Sequence, residues 1–278
     1  MSANPFIRAA ARTAAEVDRL SDLFATHLRR VLRDLERKLD PLIREASEGN
    51  RTAIVRAAQA ARTRKELREA LTASGYAQLA ETAYGPRLDG LVARVLATRR
   101  LAKASGELAR GVEGKLAALR ALAQQDLLHL GDATAYELWQ ATVRGVFASR
   151  DSRDIVADLV DILDATEPQI RTLYDTSLSI YTRQVEALQA SEDEGARFAF
   201  MGPVDGKTRP FCLEHVGKVY TREEIDALDN GQLDNVFLTG GGYNCRHTWM
   251  EVSRFSELDG DGRIPEVQDQ LDELDEAA

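Results

Sequence analysis

Val17, Leu20, Phe24, Leu28, Val31, Leu35, Leu39 and Leu42 follow one another at intervals of three or four residues. That period lays apolar side chains along one face of a helix for about seven turns, so the segment needs other helices to cover it. A bundle or coiled-coil seam is the expected packing. Asp40-Pro41 predicts a kink or a division of this helix, because proline lacks the amide donor and crowds the preceding turn. Arg30, Arg33, Arg37 and Arg44 fall on the opposite face, where they either meet water or contact phosphates or an acidic protein.

From residue 6 to about 200 the chain is rich in Ala, Leu, Arg and Glu and poor in Pro, which is helix composition. Helices are predicted over 51–72, 86–104, 107–130 and 132–148, with breaks near Gly49-Asn50, Ser74-Gly75, Gly85-Pro86 and Gly131-Asp132. Thr166-Glu-Pro168-Gln169 resembles a capping box with proline in the first turn, and predicts a helix start. Its apolar stripe is Ile170, Tyr174, Leu178, Tyr181, Val185 and Leu188, and Ser191–Gly195 ends it. His27 and His129 lie inside helical segments and read as packed or surface histidines.

The net charge of −9 hides a gradient. Residues 1–110 carry 21 Lys and Arg against 13 Asp and Glu, residues 111–200 carry 8 against 15, and residues 201–278 carry 7 against 17. Such asymmetry suits a protein held between unlike surfaces, or is simply an unevenly charged helical surface. No run of about 18 apolar residues is present, and the first residues lack the pattern of a secretory signal. The expectation is a soluble protein without membrane partners, made in a reducing cytoplasm.

At Arg197 the pattern changes. Arg197-Phe-Ala-Phe-Met201 alternates as a short strand does, and Gly202-Pro203 turns it. Gly217-Lys-Val-Tyr220 predicts a second strand, Thr221-Arg-Glu-Glu224 a capping box opening a short helix to Leu228, and Thr248–Val252 a third strand. Turns are forced at Asn230-Gly231 and Gly240-Gly241-Gly242. The fold class is therefore mainly α: a long-helix amino-terminal domain, then a small, loop-rich α+β carboxy-terminal domain with few core residues. The acidic residues toward Ala278 read as a tail or frayed helix.

Both cysteines and two of the four histidines occur in this last third, as Cys212-Leu-Glu-His215 and Cys245-Arg-His247. Four ligands of this type complete a tetrahedral zinc shell, which leaves no open position and argues for a structural ion. Two other readings stay open: small buried cysteines with core histidines, and a Cys212–Cys245 disulfide. Asp205-Gly-Lys-Thr208-Arg209 suits a turn in which the carboxylate receives backbone amides and the arginine pairs with a nearby acid, or else a phosphate or partner contact. Gly240–Gly242 lacks the Gly-Lys-Ser/Thr of a nucleotide loop. Glu257, Asp259, Asp261 and Gly262 match the front of a calcium loop only in part, since Gln268 stands where a bidentate acid is needed. No zinc-deaminase, Gly-x-Ser-x-Gly or His-Glu-x-x-His motif occurs.

Gly202-Pro-Val-Asp205-Gly-Lys-Thr208-Arg209-Pro-Phe-Cys212, then Gly217-Lys-Val-Tyr220, then Gly241-Gly-Tyr243-Asn244-Cys245-Arg246-His247 resembles the carboxy-terminal domain of phage Mu F-type minor head proteins, the head morphogenesis family. The resemblance covers about residues 198–252. It implies a minor capsid protein, not an enzyme, that associates with the portal protein and other capsid proteins during head assembly in the host cytoplasm and stays in the virion. It marks Asp205, Thr208, Arg209, Cys212, Gly217, Tyr243, Asn244, Cys245 and Arg246 as motif positions. His247 replaces a commoner cysteine, an exchange that zinc tolerates and a disulfide does not. The family motif does not mark His215. The division expected is 1–196 as a helical docking domain, 197–255 as the Mu F-like domain and 256–278 as an acidic tail. Asp205 and Arg209 tie the motif loops together, and the basic first third faces DNA or an acidic portal surface. A metal-dependent nuclease using Asp205, His215 and His247 is the alternative.

Overall fold

A computed structural model describes residues 4–47, 53–83, 85, 88–101, 112–190, 195–252 and 262–276. The chain is mainly helical, with long helices first and a small three-stranded sheet with loops in the carboxy-terminal region. The helices α1 (Pro5–Ser47), α2 (Ala53–Ala73), α3 (Tyr76–Ala83), α4 (Asp89–Leu101), α5 (Val112–Phe147) and α6 (Ser152–Ala190) come first. They are followed by β1 (Arg197–Met201), α7 (Pro210–His215), β2 (Val219–Thr221), α8 (Arg222–Asp226), α9 (Val236–Thr239), β3 (Thr248–Val252) and α10 (Pro265–Glu276). Among the described residues no helix is long and apolar enough to cross a membrane.

The stripe on α1 is buried from Val17 to Leu39, and Ile43 rather than Leu42 continues it. Drift between a 3.5-residue repeat and the 3.6-residue turn accounts for that shift. Arg30, Arg33, Arg37 and Arg44 are exposed. Pro41 does not divide the helix: Leu39 and Ile43, both wholly buried, anchor the turns on either side of the missing hydrogen bond.

Two other expected breaks are absent for packing reasons. Gly131 sits within α5, where a Cβ would lie 2.3 Å from a Tyr76 ring carbon, so this glycine marks a close approach of α3. Tyr76 also donates its hydroxyl to the Leu127 carbonyl at 2.7 Å. Pro168 lies inside α6, which starts 14 residues before Thr166 and runs to Ala190. Thr166 donates to the Ile162 carbonyl instead of capping a new helix. The breaks expected at Gly49-Asn50, between 104 and 107, and at residues 191–194 lie outside the described residues, as do 253–261.

Contacts group Met1–Ser21, Pro86–Arg120 and Tyr174–Ala278 into one compact unit, and Asp22–Gly85 with Ala121–Leu173 into another. In the second unit, Arg29 pairs with Glu167, Arg68 with Asp132 and Arg171 with Asp22. In the first, the sheet has the order β2-β1-β3 and is antiparallel throughout. β1 sits in the middle, with Ala199 opposite both Val219 and Met250.

Both faces of this sheet are covered. Phe198, Phe200 and Trp249 face Cys212, Ile225, Val236, Phe237 and Cys245. Ala199, Met201, Met250 and Val252 face Ala9 and Ala10 of α1, with Val216, Ile264 and Val267. The carboxy-terminal residues are not a free tail. α10 inserts Val267 beneath Gly217, whose φ of +80° and contact with Val267 leave no room for a side chain. Thr221 caps α8, accepting from Glu224 N at 3.3 Å while the Glu224 carboxylate accepts from Thr221 N at 2.7 Å.

Candidate metal centre

Cys212 projects from α7, while Cys245 and His247 lie on the loop segment leading into β3. Their side-chain donor atoms lie within 4.8 Å of one another, and the residues are 2%, 2% and 3% exposed. This is a group that can hold a metal ion. The two sulfurs are 3.9 Å apart and both cysteines are free thiols, so the disulfide is not formed. His247 Nε2 is buried with no hydrogen-bond partner. The ring stacks on Phe200, with centroids 5.1 Å apart.

His215 does not join them. Its Nδ1 is 2.6 Å from the Tyr220 hydroxyl and its ring packs on Phe211. Burial lowers the His215 pKa and raises that of Tyr220 to about 12, so both are neutral near pH 7.

Glycines make room for the group. A Cβ on Gly241 would lie 2.5 Å from Cys212 Sγ, and one on Gly202 would lie 2.5 Å from His247 Cδ2. Gly241 N also donates to Cys245 Sγ at 3.2 Å. The triple glycine is thus a packing surface: Gly240 lies against the guanidinium of Arg183, Gly241 against Cys212 and Gly242 against Gln232. The sulfur-to-sulfur hydrogen bond from Cys212, together with Arg183, lowers the Cys245 pKa. The same hydrogen bond and burial raise that of Cys212.

The remaining motif residues brace the loops around the group. Lys207 N donates to Asp205 Oδ1 at 2.9 Å, and Thr208 Oγ1 donates to the Pro203 carbonyl at 3.0 Å, which builds the expected turn. The arginine on Asp205 is Arg246, with Nη1 2.9 Å from Oδ2 and Nη2 2.6 Å from Oδ1. Arg209 instead donates to Gln232 Oε1 at 2.9 Å, so it does not pair with an acid as expected. Gln232 Oε1 also accepts from Tyr243 N at 3.1 Å, while the Tyr243 ring is 50% exposed. Asn244 takes the left-handed conformation at φ 53°, and its amide donates to Thr176 Oγ1. Gly217 lies under α10, away from this turn.

Asp205, His215 and His247, the trio needed by a nuclease, do not form one ligand group among the described residues. The calcium-loop acids Glu257, Asp259 and Asp261 lie outside the described residues. Gln268 sits on α10, where its amide oxygen accepts from Arg263.

Sequence reasoning missed Arg183. This α6 residue is 1% exposed and donates from Nε to the His247 carbonyl at 3.0 Å, from Nη1 to Leu238 at 3.0 Å and from Nη2 to Cys245 at 2.9 Å. Its one signal is position, between Tyr181 and Val185 on a stripe that reads as core.

Set against known proteins, the chain matches no family model, no curated protein and no solved structure.

Proposed function

We propose that this chain is a phage minor capsid protein, of the head morphogenesis type, that docks at the portal vertex during head assembly and stays in the virion. In this reading it is not an enzyme, and its sheet module is clamped by one structural zinc held by Cys212, Cys245 and His247. The observation that carries the reading is convergence: two sequence-distant motif loops meet, braced by Asp205 and Arg246, and present Cys212 to Cys245 and His247.

Zinc fits the donor set on two counts. Two thiolates and one imidazole are borderline-soft ligands, and a tetrahedron with Zn–S bonds of about 2.3 Å has an S···S edge of about 3.8 Å. The sulfurs lie 3.9 Å apart. Three side chains leave one tetrahedral position open, so the structural role rests on burial: Cys212, Cys245 and His247 are all shielded from solvent, which keeps substrate from the ion.

The docking partner in this proposal is an acidic surface of the portal, met by the exposed Arg30, Arg33 and Arg37, with packaged DNA as a second contact for the same face. Deleting the amino-terminal third is a poor test, because Ala9 and Ala10 belong to the core of the sheet module. The sharper test is capture of the full chain by purified portal protein of the same phage, beside a variant with Arg30, Arg33 and Arg37 all changed to Glu. Capture by the wild type and loss by the variant support the reading; no capture of the wild type, or equal capture of both, contradicts it.

A further inference from the structure

Arg183 is buried among carbonyl groups, and each of its three nitrogens donates to a different residue of the segment running from α9 to β3. Two of those residues, Cys245 and His247, are members of the metal-ligating group. The planar guanidinium spaces its donors rigidly, so three carbonyls on one cation leave the segment a single path. Gly240 preserves the fit, since a Cβ there would lie 2.8 Å from Arg183 Nη2, and its φ of +58° also favours glycine. Side chains on this path, those of Cys245 and His247, meet Cys212.

We propose that Arg183 is a positioning residue that holds Cys245 and His247 in ligand geometry before metal arrives, acting from outside the coordination sphere through the backbone of the ligands themselves. The proposal rests on the metal reading above and deepens it. Small zinc domains of the finger type are unfolded without metal, because nothing else fixes their ligands. Here a cation from α6 does that, and metal enters a prepared site.

The test uses full-length wild type, Arg183→Gln and Arg183→Lys, stripped of metal with a chelator and titrated with cobalt(II), then with zinc against a competing chelator. Wild type is expected to bind one cobalt with a sulfur-to-metal charge-transfer band. Arg183→Gln is expected to bind zinc ten- to a hundredfold more weakly, with displaced cobalt d–d bands. Arg183→Lys, which keeps the charge but not the fork, is expected to recover part of the affinity. Equal affinities with superimposable spectra would overturn the role of Arg183 alone, whereas a wild type that takes up no cobalt overturns the metal reading and this proposal with it. Should Arg183→Gln fail to fold, hydrogen exchange on metal-free wild type decides. The amides of Gly242 and Cys245, bonded to the Thr239 and Gly242 carbonyls, are expected to stay protected; free exchange until metal is added would contradict preorganisation.

Discussion

Arg246 closes on Asp205 through both of its terminal nitrogens, at 2.9 and 2.6 Å, and so ties the turn before α7 to the segment before β3 across 41 residues of sequence. Two parallel charge-assisted bonds of this kind fix direction as well as distance. The Arg246 guanidinium holds the Asp205 carboxyl at about 2, from an ordinary 3.8, with help from the Lys207 amide. The stability this supplies is complete above about pH 4 and is lost as pH falls toward 2. The Asp205 side chain is 42% exposed, so after solvent screening the pair contributes about 1 kcal/mol. Asp205→Asn is expected to lower the melting temperature by a few degrees at pH 7 and by much less at pH 2, as read by calorimetry across that range. An equal loss at both ends would show that the pair does not carry the effect.

Two glycines of α5 are expected to respond with opposite sign to the same substitution. A Cβ at Gly114 meets nothing within 4 Å, so Gly114→Ala gains helix propensity and stabilises by about 0.5 kcal/mol. At Gly131 the Cβ collides with the Tyr76 ring at 2.3 Å, and overpacking of about 1–3 kcal/mol outweighs the propensity gain. Urea unfolding of the two variants checks the pair; stabilisation by Gly131→Ala would mean that α3 does not pack there.

Gly241→Ala is expected to damage the candidate centre without touching a ligand. Its Cβ would sit 2.5 Å from the buried Cys212 Sγ and 3.2 Å from the Phe211 ring, and about 1–3 kcal/mol of destabilisation should accompany loss of metal. Gly206→Ala, with nothing within 4 Å, is the control and should change stability by less than about 0.5 kcal/mol. Parallel melting curves and metal contents would read both effects.

Thr221→Ala removes the hydroxyl that accepts from Glu224 N at the start of α8. A loss of about 1 kcal/mol is expected, measured by urea unfolding, and Thr221→Ser should restore most of it. No difference between the two variants would show that the cap contributes nothing.

Where a signal is local and periodic, the sequence carries it. The alternation of Arg197–Met201 and Thr248–Val252 becomes β1 and β3 with those bounds, and Thr221 with Glu224 becomes a capping box. The stripes of α1 and α6 are buried as their spacing requires up to their last members, Leu42 and Leu188, which are half-buried. Punctuation is harder to interpret, because glycine and proline mark close approach as often as a chain break. Gly131 answers to Tyr76, 55 residues away, and α3 itself escapes notice although Tyr76, Leu79, Ala80 and Ala83 have helical spacing. The candidate centre is legible for three of four ligands. Cys212 and His215 share α7 at a spacing that suits a common ion, but the His215 ring is taken by Tyr220, which hydrogen-bonds its Nδ1, and by Phe211, which packs on it. Arg183 and the partner of Asp205 are invisible for a common reason: nothing in a linear chain says which cation the fold will bring to which oxygen.

A metal held by three side chains rather than four is the central claim about this protein. Its most direct test is the zinc content of the purified full chain, measured beside Cys212→Ser, Cys245→Ser, His247→Ala and His215→Ala. One zinc per chain is expected in the wild type and in His215→Ala, with loss in the other three. A wild type without stoichiometric zinc, or a His215→Ala variant as empty as Cys212→Ser, would contradict it.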